Sequence, residues 1–266
     1  MTSTKGNLRA RISAREELVM LRGDINWTRD QLAAAWQSDE YDFIWLDSQH
    51  SAYSDQLLVG FTGAAEELGI PVQLRIPHTR EAHKVGRFMD LGISGALVPE
   101  VMEVSTVQDA IDFAYYGPLG RRSWGGANRL GLRTQSAPTA RRAYADWWNQ
   151  TVTLTIQIES VETVNNIRSL IRPGITHVTW GPNDLEFSLE LERHAEQPLK
   201  TVEACMQHVA EQLRGSGLPM SMGTVTTPEE RQKYRDLGVT IFMAAPPADL
   251  TMMTPVQRRA SDMRNV

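Results

Sequence analysis

The chain has 266 residues, with 27 Lys and Arg against 32 Asp and Glu and one cysteine. At 41% hydrophobic and 22% charged it is not a disordered chain, and its lone cysteine excludes an intrachain disulfide or a Cys-rich zinc site. A net charge of −5 gives no overall attraction for nucleic acid. No run reaches the roughly 18 apolar residues of a membrane span. The first twenty residues hold Glu16 and Glu17 and no apolar h-region, so no secretory signal is expected and the expected location is cytoplasmic.

In chain order, apolar strand patterns fall at residues 18–21, 43–48, 71–76, 95–98, 152–158, 176–180, 219–222 and 239–243. Helical patterns fall at 29–36, 55–68, 80–91, 105–115, 161–171, 199–214, 228–237 and 256–263. Regular alternation of strand and helix predicts an α/β chain with a parallel sheet, and a count of eight predicts a (β/α)8 TIM barrel. No linker or repeat divides it, so residues 1–266 are expected to form a single barrel domain. The connection from 99 to 151 is long; its glycine-containing part reads as a loop, and 138–149 as an extra helix between strands 4 and 5.

Side chains alternate across a strand. In the segment 152–159, Leu154, Ile156 and Ile158 share one face, and Thr153, Thr155, Gln157 and Glu159 the other. Gln73 and Arg75 oppose Val72, Leu74 and Ile76, and Phe43, Trp45 and Asp47 are co-facial. Three strands therefore deliver Asp47, Arg75 and Glu159 near their C-terminal ends, where barrel enzymes place their chemistry.

Each candidate also has a plainer reading. His50, in Asp47-Ser-Gln-His50, titrates near neutrality and can move a proton, with Asp47 placed to orient it; otherwise it is a loop histidine beside a capping residue. Arg75 at a strand end needs a carboxylate partner or an anionic ligand. Glu159 and Asp184 follow consecutive strands. Neighbouring strands lie roughly 4.8 Å apart, so the two carboxylates could share a hard divalent cation. Alternatively, Asp184 only caps a helix beginning at Leu185. His78 and His83 read as solvent-facing, and Trp147 and Trp148 as packing or interface residues.

Taken together, the ordered segments Asp47-Ser-Gln-His50, Leu74-Arg-Ile-Pro77, Gly95-Ala-Leu-Val-Pro99, Gly117-Pro-Leu-Gly-Arg-Arg122, Gln157-Ile-Glu159 and Gly181-Pro-Asn-Asp-Leu185 resemble the HpcH/HpaI aldolase family. This is the family of metal-dependent class II pyruvate aldolases. The resemblance implies that Glu159 and Asp184 hold a divalent metal (Mg²⁺, Mn²⁺ or Co²⁺). It implies that a 2-oxo acid chelates the metal, with Gln157 beside the ketone oxygen and the amides near Asn183 and Asp184 receiving the carboxylate. Arg75 would stabilise the enolate oxygen and the aldehyde carbonyl, and His50, held by Asp47, would move protons.

The implied reaction interconverts a 4-hydroxy-2-oxo acid with pyruvate and an aldehyde. Alternatives are oxaloacetate decarboxylation, macrophomate-synthase-like enolate chemistry, or a weakened barrel that only binds a 2-oxo acid. Several family members carry glutamate where this chain has Gln49, which bears on the proton relay. The resemblance also implies a homohexamer with a C-terminal helix exchanged between subunits, and small-molecule partners only.

Overall fold

The computed structural model describes residues 5–36, 40–125, 130–225, 227–247 and 250. Eight parallel strands close into a barrel in sequence order. They are β1 (Leu18–Arg22), β2 (Phe43–Asp47), β3 (Val72–Arg75), β4 (Gly95–Val98), β5 (Thr153–Ile158), β6 (His177–Trp180), β7 (Met220–Thr224) and β8 (Val239–Ala244). The helices are α1 (Leu8–Ser13), α2 (Arg29–Ala35), α3 (Asp55–Glu67), α4 (Val85–Asp90), α5 (Val104–Ala114), α6 (Arg141–Thr151), α7 (Val161–Leu170), α8 (Pro182–Glu190), α9 (Val202–Gln212) and α10 (Pro228–Asp236). The α/β class and the (β/α)8 barrel therefore stand, as does the extra helix between strands 4 and 5, which is α6. The expected C-terminal helix at 256–263 lies outside the described residues.

Three differences from the sequence reading have a local cause. The pattern at 80–91 divides into a 3-10 turn, Thr79–Lys84, and α4, with the join at Lys84 (φ −92°, ψ 0°). Helix α1 was not expected; it is short, and its signal is Asn7, whose side chain accepts from the Ala10 amide. Helix α8 begins at Pro182, three residues before Leu185, because proline at the first turn forfeits an amide that has no helical partner there anyway. Several other helices start where a side chain caps them. Thr28 and Gln31 form a reciprocal capping box on α2, and Ser54, Ser160, Thr201 and Thr227 cap α3, α7, α9 and α10.

Strand parity divides the interior as expected. Ile44, Leu46, Leu74, Ala96, Leu154, Ile156 and Val178 turn outward into the apolar layer beneath the helices. Inside the barrel, Leu18, Met20, Phe43, Trp45, Leu97 and Ile241 form a second cluster, closed by Ile12 from α1. The other interior wall is polar. Gln73 Nε2 donates to Thr155 Oγ1 at 3.0 Å, and Thr155 Oγ1 lies 3.0 Å from His177 Nε2. Helix α6 packs on its own barrel: Trp148 is buried and its Nε1 donates to the Ala114 carbonyl at 2.8 Å, while Trp147 is half-buried. Trp148 is thus a packing residue.

Candidate active site at the C-terminal mouth of the barrel

The site begins with strand register. Asp47 on β2 and Arg75 on β3 are direct partners in the ladder and face the same way. Arg75 Nε donates to Asp47 Oδ1 at 2.9 Å and Nη2 to Oδ2 at 2.6 Å, a two-pronged pairing that fixes the guanidinium plane. The guanidinium also lies 5.3 Å from the centroid of the Trp45 ring. Burial pushes the Asp47 carboxyl upward. The bonds and charge of Arg75, with the Gln49 amide, outweigh it and hold Asp47 below its usual range.

The turn after β2 wraps this carboxylate. The Gln49 amide donates to Asp47 Oδ1 at 3.0 Å, and the His50 amide reaches the same oxygen at 3.5 Å. Ser48 Oγ donates to the Arg75 carbonyl at 2.5 Å, and Ser51 Oγ to the Asp47 carbonyl. Asp47 therefore commits both oxygens to Arg75; no hydrogen bond among the described residues joins it to the His50 ring, although His50 still acts electrostatically on its carboxyl. Arg75 is the in-register neighbour, whereas His50 stands three residues along an exposed turn. Its imidazole is at the mouth, open to solvent.

Across the mouth, Glu159 follows β5 and is 5% exposed. Its Oε1 accepts from the Glu100 amide. Burial, the largest influence, raises its carboxyl to about 7. The Glu100 amide and the charge of Arg75 oppose this rise, and the negative charges of Asp184 and Glu100 add to it. Glu159 therefore shares a field with Asp184 and Arg75, the grouping expected from strand ends.

Gly181 explains how β6 approaches so closely. A Cβ there would lie 2.5 Å from Gln157 Nε2, 2.8 Å from Glu159 Cβ and 2.8 Å from Glu159 Oε2. Asn183 and Asp184 occupy the first turn of α8, both exposed. Asp184 does not cap the helix: the N-cap is Gly181, and no side chain bonds the helix start. The first amides of α8 are therefore available to an anion at the positive end of the helix.

A divalent cation suits this donor set. Two carboxylates repel each other, and a cation between them relieves both that repulsion and the burial of Glu159. Gln157 Oε1 is buried without a hydrogen-bond partner, an oxygen donor beside the same wall. Among the described residues no three His, Cys, Asp or Glu converge as a cage, so water and substrate would complete the coordination. Sequence reasoning did not single out Glu100 or Gly181. Glu100 has φ 51°, in the left-handed region, and nothing in a glutamate's identity announces that. Gly181 lay within a quoted motif, but its need for space is visible only across two strands.

A model of the family described as HpcH/HpaI aldolase/citrate lyase matches residues 26–246. A 5-keto-4-deoxy-D-glucarate aldolase from Enterobacter sp. (strain 638) is 24% identical over 223 residues, covering 84% of this chain and 83% of the relative. The crystal structure of an HpcH/HpaI aldolase from Desulfitobacterium hafniense DCB-2 superposes with a TM-score of 0.75 at 23% identity, covering 97% of this chain and 96% of that one. Macrophomate synthase superposes with a TM-score of 0.74 at 22% identity, covering 98% and 92%. The two superpositions speak to the fold. No described helix is long and apolar enough to cross a membrane.

Proposed function

This chain belongs to the HpcH/HpaI aldolase/citrate lyase family, and we propose that it is a divalent-metal-dependent pyruvate aldolase. It would interconvert a 4-hydroxy-2-oxo acid with pyruvate and an aldehyde. The observation that carries this reading is the convergence of two carboxyl groups, Glu159 and Asp184, with the Arg75 guanidinium that Asp47 fixes. The name of the Enterobacter relative, an aldolase, supports the same reaction class.

Glu159 and Asp184 would hold the cation, with Gln157 Oε1 as a neutral oxygen beside them. A bound Mg²⁺, Mn²⁺ or Co²⁺ supplies Lewis acidity at the oxygens of a 2-oxo acid. The amides of Asn183 and Asp184 receive the substrate carboxylate at the start of α8. Arg75 places positive charge where the enolate oxygen becomes negative, and its orientation costs no reorganisation because Asp47 has set it beforehand. His50, exposed at the mouth, takes and returns the proton. The same reading carries a homohexamer, which light scattering tests; a monomer at micromolar concentration rejects it.

The decisive experiment incubates metal-loaded protein with pyruvate in D₂O, then adds a panel of aldehydes. Exchange of the methyl protons followed by product formation is the expected result, and a chelator should stop both. Full activity in rigorously metal-free protein would overturn the metal assignment. Loss of oxaloacetate, with no product from any aldehyde, would move the reaction to decarboxylation.

A further inference from the structure

We propose that the Glu100 side chain is a specificity-determining group, selecting an uncharged, hydroxyl-bearing aldehyde over one that carries a carboxylate. The inference rests on the aldol reading above and concerns the end of the substrate that this reading leaves open.

The argument starts from the backbone. Glu100 lies two residues beyond β4 at φ 51°, a conformation uncommon for a residue with a side chain. This turn aims its amide at Glu159 Oε1. Its side chain meets His78 in the loop beyond β3, with Glu100 Oε2 3.5 Å from His78 Nε2. His78 is itself fixed, because its Nδ1 accepts from the Arg80 amide at 3.0 Å. An accepting Nδ1 leaves the ring proton on Nε2, the nitrogen facing Glu100. The carboxylate is thus held beside His78 at the mouth, where it is 43% exposed.

The charges around it decide what a ligand there can be. Glu100 brings a carboxylate to the mouth beside the residue that its own amide bonds, Glu159. Arg75, the buried cation of the site, is already paired in both directions by Asp47. A carboxylate on the aldehyde would meet Glu100 as a like charge in a partly desolvated cleft, whereas hydroxyl groups can donate to it.

The test uses two unreactive 2-oxo acids with the same five-carbon skeleton, 2-oxopentanoate and 2-oxoglutarate, which differ in a terminal methyl or carboxylate. Their dissociation constants are measured by calorimetry on Mn²⁺-loaded native protein, Glu100→Gln and His78→Ala. Glu100→Gln should shift the ratio about tenfold in favour of 2-oxoglutarate, the effect of removing one nearby like charge. His78→Ala should shift it the other way, because Glu100 then loses its nearest partial counter-charge. In the aldol direction, the kcat/KM ratio for succinic semialdehyde over glyceraldehyde should rise in Glu100→Gln. Binding ratios unchanged in both variants would overturn the assignment of Glu100 whether or not products form. Shifted binding ratios with no product from either aldehyde would keep Glu100 as the selecting group and overturn only the aldol reading.

Discussion

Arg75 and Asp47 are in-register neighbours on β3 and β2, joined by two bonds of 2.9 and 2.6 Å that fix the guanidinium against the Trp45 ring. Both are buried, so the pair is a single unit: neither charge is tolerable there without the other. Asp47→Asn should therefore act twice. Leaving the guanidinium without its counter-charge should cost about 3–5 kcal/mol of stability. The loosened Arg75 should also lower kcat/KM by roughly 10²-fold. Chemical denaturation and steady-state rates read the two effects separately. Unchanged stability would mean that Asp47 does not hold Arg75 as argued.

Gly181→Ala should damage the site without removing a polar atom. The new methyl would lie 2.5 Å from Gln157 Nε2 and 2.8 Å from Glu159 Oε2, so one wall must move. We expect Mn²⁺ affinity to fall by roughly 10–100-fold, as when the support of a metal ligand is disturbed. Calorimetric titration with Mn²⁺ checks it, and circular dichroism should show an intact barrel. Native affinity would show that the close approach of β6 is not needed.

His50→Ala should leave metal and pyruvate affinity near native and lower turnover by roughly 10²–10⁴-fold, the usual scale for a proton-transfer group. Gln49→Glu should keep or raise the rate, with its largest effect below neutral pH, because a carboxylate is the stronger acceptor. An aldol rate unchanged in His50→Ala would remove His50 from the mechanism.

Two buried groups predict opposite pH slopes for the metal-free protein. Burial pushes His177 down to about 3 from 6.5. Its contribution to stability is present above pH 6.5 and is lost as pH falls towards 3, by about 2 kcal/mol at pH 5. Glu159 is raised to about 7 from 4.5, so its contribution is present below pH 4.5 and lost as pH rises through about 7. Glu159→Gln should thus stabilise the metal-free protein at pH 8 by about 3 kcal/mol and at pH 5 by less than about 1 kcal/mol. Urea denaturation at the two pH values checks the sign. Equal effects at both would refute the burial argument.

The barrel and the inward face of each strand were legible in the sequence because both are periodic. Alternation along β5 sends Leu154, Ile156 and Ile158 out to the helices and leaves Thr155, Gln157 and Glu159 inside, whatever the neighbours are. The same logic brought Asp47, Arg75 and Glu159 to one end of the barrel. The partners of these side chains depended on tertiary structure. Asp47 lies three residues from His50 but beside Arg75 in the ladder, and strand register outranks sequence distance. Glu100 bonds Glu159 from 59 residues away through a left-handed backbone that its side chain does not encode. Gly181 matters for the space it leaves to Gln157 and Glu159, which exists only after β5 and β6 pair. Local patterning is determined by residues near in sequence, whereas register, close approach and shared fields arise between strands and require the closed barrel.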